Sequence, residues 1–158
     1  MNIENFLNDF DNQNDNLKAE KEKRELEQKL KIESQEKFIK TYKNYFNENL
    51  KKELESIAEK LQQKFSYEIL EPKDFQGNNC ITEIILKSKF EHHIKRIIFQ
   101  ITTEGDRKLI SFGADTQTAH GKRIGDHYHS FQSNLAEFER LNLEDEISKI
   151  LNKIFIRK

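Results

Sequence analysis

The 158-residue chain contains one proline, one cysteine, one methionine and no tryptophan. A lone Cys80 excludes an intrachain disulfide. Its place in the run "CITEIILK" marks it as a small buried hydrophobe, because a reactive thiolate needs an electropositive neighbour. No apolar run approaches the ~20 residues of a membrane span. The N-terminus carries Asn and Asp where a secretory signal would need a basic and then an apolar segment, so a cytoplasmic location is expected. Charge of one sign is lacking too: 27 Lys and Arg against 28 Asp and Glu leave a net charge of −1, with no long-range field to gather nucleic acid or an anionic membrane.

Charge itself is abundant. Charged residues make up 35% of the chain and hydrophobic ones also 35%, too polar for one compact globule, so part of the chain must be solvated. Residues 1–16, "MNIENFLNDFDNQNDN", read as a flexible tail in which Ile3, Phe6, Leu7 and Phe10 recur at helical spacing. This short amphipathic segment is too short to hold a helix alone. From 17 to 38 the signs alternate, with Leu26 and Leu30 the main apolar positions and no Gly or Pro, which predicts a charged helical extension. Its sparse stripe is partly coiled-coil-like and suits pairing with a copy of itself or another chain.

At Ile39 the pattern changes. Ile39, Tyr42, Phe46, Leu50, Leu54, Ile57, Leu61 and Phe65 follow in steps averaging about 3.7 residues, the period of a helix lying on a globular surface. Beyond Phe65 the period falls to two. "SYEILEP" reads as a strand closed by Pro72, "FQGNN" as a loop and "CITEIILK" as a second strand. "RIIFQITTEGDRKLISFGAD" reads as a hairpin turning at Gly105 and Asp106, glycine accepting positive φ. That turn pairs Glu104 with Arg107, Thr102 with Leu109, Ile101 with Ile110, Phe99 with Phe112, Ile97 with Ala114 and Arg96 with Asp115. Ile97, Phe99, Ile101, Ile110, Phe112 and Ala114 then share the core face. From Leu135 onward a helix is expected, with Asn142 as a cap, Asp145 three residues on, and Leu143, Ile147, Ile150, Leu151 and Ile154 as its stripe. The expected fold is therefore α+β. A long N-terminal helix leads into a small antiparallel sheet of three or four strands, a C-terminal helix packs on one sheet face, and 39–158 form the α+β domain.

The densest chemistry lies in "HGKRIGDHYHSF". His120, His127 and His129 with Asp126 or Asp115 could ligate a divalent metal. His127 and His129 share a side only if the segment is an extended strand, however, and the helical His pair with an intervening Glu is absent. Lys122 and Arg123, between Gly121 and Gly125, are anion-contact candidates, although "GKRIG" lacks the Walker spacing. No nucleophile stands beside the histidines and there is no Gly-x-Ser-x-Gly elbow. The segment therefore reads as a polar connection after the hairpin, with Tyr128 and Phe131 tucked onto the core and the histidines in water. Lys87, Lys89, Lys95, Lys122 and Arg123 suggest a weakly basic face, but Phe99 and Phe112 are assigned to the core, where they cannot stack on bases.

These features favour a non-enzymatic interaction or accessory protein without a cofactor. It would contact a protein partner or a second copy through Ile3, Phe6, Leu7 and Phe10 and through Leu26 and Leu30. A small His-dependent, metal-assisted hydrolase or nuclease and a weak nucleic-acid-binding module are the alternatives.

Overall fold

A computed structural model describes residues 2–118 and 123–156, with the backbone alone for 123–125. The N-terminal part is one continuous rod: α1 (Ile3–Tyr45), a wide π turn (Phe46–Leu50) and α2 (Lys51–Lys60). α1 begins at Ile3 rather than near Leu17, because Asn2 Oδ1 accepts the Asn5 N–H at 2.8 Å and Glu4 lies in the first turn, where its charge suits the helix dipole. Exposed pairs Lys21–Glu25 and Glu20–Arg24, each at 4.0 Å, contribute a few tenths of a kcal/mol apiece.

Burial begins at Ile39 and continues through Tyr42, Phe46, Leu50 and Leu54. Three consecutive steps of four would drift round a regular helix of 3.6 residues per turn. The π turn, in which Lys51 N–H reaches Phe46 O, absorbs that drift and keeps all four large side chains on the sheet.

The sheet is larger than expected: six antiparallel strands, not three or four. They are β1 (Phe65–Ile69), β2 (Lys73–Phe75), β3 (Asn79–Ser88), β4 (Ile94–Glu104), β5 (Leu109–Thr118) and β6 (Arg123–Ser133), in the order β1-β3-β4-β5-β6 with β2 also on β3. β2 has three residues, too few to show a period. β6 occupies the stretch read as a polar connection. Its Tyr128 and Phe131 pack against the core while His127 and His129 stay exposed, a period of two carried by histidines rather than β-branched residues.

The hairpin pairs with a shift of two residues from the expected register. Glu104 faces Leu109, Ile101 faces Phe112, Phe99 faces Ala114, Ile98 faces Asp115 and Arg96 faces Gln117. Four residues, 105–108, form the turn, and the positive φ of 53° falls on Lys108 rather than on Gly105. Because a shift of two preserves facing, Ile97, Phe99, Ile101, Ile110, Phe112 and Ala114 are all at most 1% exposed as expected. Glu104 and Arg107 remain an ion pair at 2.6 Å, now across the turn. Arg96 and Asp115 are not opposite each other.

Two helices close the fold, α3 (Leu135–Arg140) and α4 (Leu143–Phe155). Asn134 caps α3 through Glu137 N–H at 2.8 Å, and Asn142 caps α4 through Asp145 N–H at 3.3 Å. Phe138, Leu143, Ile147 and Ile150 join the rod and the even-numbered residues of β3 and β5 in one core cluster. No helix of the described residues is long and apolar enough to cross a membrane.

Candidate interaction surfaces

Three surfaces concentrate chemistry. The first is the distal part of α1. Every residue from Ile3 to Glu33 is exposed, so at 1.5 Å per residue the rod projects roughly 45 Å from the packed body. At its tip Ile3, Phe6, Leu7 and Phe10 expose 49–76% of their surface, and the Phe6 and Phe10 rings stack with centroids 6.0 Å apart. Up to Leu17 the charges of this segment are Glu4, Asp9, Asp11 and Asp15, all acidic. Leu26 and Leu30 are equally exposed. Leu17 continues the tip stripe about two turns after Phe10, and the step of nine from Leu17 to Leu26 makes two and a half turns, which places Leu26 and Leu30 on the opposite side of the helix from the tip stripe.

The second surface lies beyond the other end of the rod. Lys64, Phe65, Phe90, Leu151, Asn152, Phe155 and Ile156 line an open groove of about 360 Å³. Phe65, Phe90 and Phe155 meet edge-on or tilted, with centroids 5.4–5.7 Å apart, in favourable aromatic geometry. His92 adds its ring 4.8 Å from Phe155 and stacks on His93 at 4.4 Å. Ile94 N–H donates to His92 Nδ1 at 3.1 Å, so that nitrogen is unprotonated. Burial, then His93 and Lys95, push the His92 pKa down. The pattern of residues 89–93 gave no sign of this groove; the only signal was Phe90 and Phe155 lying outside any strand or helix stripe.

The third surface is the outer sheet face at β5–β6. His127 Nδ1 lies 2.7 Å from Asp115 Oδ1, with the carboxylate buried and the imidazole 55% exposed. An Nδ1–H donated to the carboxylate leaves Nε2 as the free basic nitrogen. The ring rests over Gly113: a Cβ there would stand 3.2 Å from His127 Nε2 and 2.8 Å from Tyr128 O. His129 faces Gly113 in the next rung, so both histidines share this face, as only a strand allows. Asp126 is exposed. Of the serines, Ser130 donates to Glu146 of α4 and Ser133 to Asn134 O, away from the imidazoles. Among the described residues no three His, Cys, Asp or Glu side chains gather as a metal site. His120 and Lys122 lie outside the described residues, and Arg123 is placed by its backbone alone, opposite Gln117.

Two further features lie in the interior. Cys80 is fully buried and burial pushes its thiol pKa up, the environment of an inert thiol. Tyr42 and Thr82, both fully buried, share a hydrogen bond of 2.6 Å. No protein-family model, curated protein or solved structure matches the chain, which leaves these three surfaces as the ground for its function.

Proposed function

We propose that this protein is a non-enzymatic interaction or accessory protein that self-associates or docks a protein partner through its long N-terminal helix. One observation carries the reading: a solvent-surrounded helix ends in four large exposed apolar side chains, Ile3, Phe6, Leu7 and Phe10. Monomeric proteins seldom display such a cluster without a use for it. Composition adds a second argument. Asn2, Asn5, Asn8, Asn12, Asn14 and Asn16 crowd the same segment, and asparagine is a weak helix former. Seating the apolar stripe on another surface would supply the stabilisation that local propensity does not. Leu26 and Leu30, on the other side of the helix, provide a separate and smaller contact. A cytoplasmic location accords with the buried free thiol of Cys80.

The reading is tested by sedimentation velocity over a concentration series and by pull-down with the tagged full chain. Phe6→Glu with Phe10→Glu should abolish the assembly, and Leu26→Glu with Leu30→Glu should weaken it less. A wild-type chain that stays monomeric and retains no partner sinks the proposal.

The Asp115–His127 contact favours a second reading, a His-dependent hydrolase or nuclease in which His127 Nε2 acts as general base. Its test is metal analysis of untagged protein, followed by the same analysis of a His127→Ala, His129→Ala variant. Absence of stoichiometric metal together with absence of phosphodiesterase and esterase turnover removes it.

A further inference from the structure

The rod from Ile3 to Lys60 spans roughly 85 Å at 1.5 Å per residue, and the aromatic groove opens just past its far end, at Lys64. A molecule's own tip therefore cannot reach its own groove. A second copy can supply the tip. We propose that the chain forms an antiparallel two-fold dimer in which Phe6 and Phe10 at each tip seat in the groove formed by Phe65, Phe90, Phe155 and Ile156 of the other copy. This inference rests on the self-association arm of the function proposed above and names its contact.

Charge complementarity selects this occupant. The tip carries Glu4, Asp9, Asp11 and Asp15 with no Lys or Arg before Lys18. The segments framing the groove, 60–65 and 88–95, hold Lys60, Lys64, Lys89 and Lys95 against Glu91 alone. Some of that charge is already engaged: Lys60 binds Glu144 at 3.0 Å, Lys95 lies 3.9 Å from Glu91, and Lys89 donates to Gln62 O at 2.7 Å. Lys64 lines the groove itself. An acidic, apolar helix end meeting a basic-rimmed aromatic groove is the arrangement that steers encounter and fixes orientation.

Helix geometry agrees. The 29 residues from Phe10 to Ile39 turn the helix through about eight full turns. The tip stripe therefore faces nearly the same side as the stripe that seats the rod on its sheet. A two-fold axis along that direction keeps both bodies and both tips on one side of the helix pair, and it is isologous and closed. Four tip side chains, matched by the groove walls and duplicated by symmetry, bring the buried area to the order of 1,200 Å², where specific interfaces begin.

The test uses the full-length chain in sedimentation velocity with a tip variant, Phe6→Glu with Phe10→Glu, and a groove variant, Lys64→Glu with Ile156→Glu. Ile156 is 73% exposed and Lys64 is exposed, so the groove variant should retain its fold; circular dichroism checks this. Each variant alone should weaken the dimer by at least roughly tenfold in Kd. A mixture of the two should associate more tightly than either variant alone, since one of its two contacts joins an intact tip to an intact groove. Loss of the dimer in the tip variant with wild-type association in the groove variant overturns the groove assignment and leaves self-association standing. A wild-type chain that remains monomeric at high micromolar concentration overturns both.

Discussion

Asn78 and Gly105 meet backbone to backbone. Gly105 N–H donates to Asn78 O at 2.9 Å, and a Cβ on Gly105 would stand 2.2 Å from that oxygen. Asn78 in turn donates its side-chain amide to Gln35 of α1 at 2.9 Å, so the hairpin turn, the β2–β3 turn and the helix are tied where the rod leaves the body. Gly105→Ala is expected to force the two turns apart and cost about 1–3 kcal/mol, measured as a lower denaturant midpoint at unchanged slope. A cost below about 0.5 kcal/mol would show that the approach relaxes freely.

The Tyr42–Thr82 bond makes a separate prediction. Tyr42→Phe removes one partner and leaves the other hydroxyl fully buried, a loss of about 1–3 kcal/mol. Thr82→Val with Tyr42→Phe removes both, and the double variant should recover part of that loss.

His92 predicts a pH dependence. Its folded-state pKa lies below the unfolded value, so the folded chain binds fewer protons than the unfolded one. The stability held by neutral His92 is present above the unfolded value of about 6.5 and is lost as pH falls through the folded pKa. Melting temperature should therefore drop on acidification from about pH 7 to about pH 5. His92→Gln should flatten that slope relative to wild type, and parallel slopes would remove His92 as the cause.

Residues 3–33 bury nothing in the body. A chain beginning at Ser34 should therefore melt within about 2 °C of the full chain in dilute solution, where assembly does not contribute. The same truncation should abolish association. A large fall in melting temperature would place the boundary of the folding unit within α1, not at its emergence.

How much of this was legible beforehand follows from which signals are periodic. The stripe from Ile39 to Ile57 and the six-residue core face of the hairpin were legible, because alternation and helical spacing depend on facing alone. The hairpin register was not, since a shift of two residues leaves every side chain on the same face: the turn takes four residues, 105–108, instead of Gly105 and Asp106 alone, with the positive φ on Lys108 and Gly105 held close to Asn78. β6 was hidden because its alternation runs through histidines and serines rather than β-branched residues. The exposed tip, Ile3, Phe6, Leu7 and Phe10, was visible as a stripe. The groove it is proposed to enter was not, because Phe65, Phe90 and Phe155 come from three distant segments that only the folded chain brings together.

β6 forms one margin of the sheet, and it is irregular twice. Ser130 is an extra residue between the rungs Phe112–Phe131 and Gly113–His129, and the ladder shifts again between Asp115–His127 and Gln117–Arg123. Bulges break the even row of free amides and carbonyls that a foreign strand would need for zipper-like addition. At the opposite margin β1 has only five residues. Both borders thus discourage runaway fibre growth through the sheet, so that the assembly proposed for the helical tip would stay counted rather than polymeric.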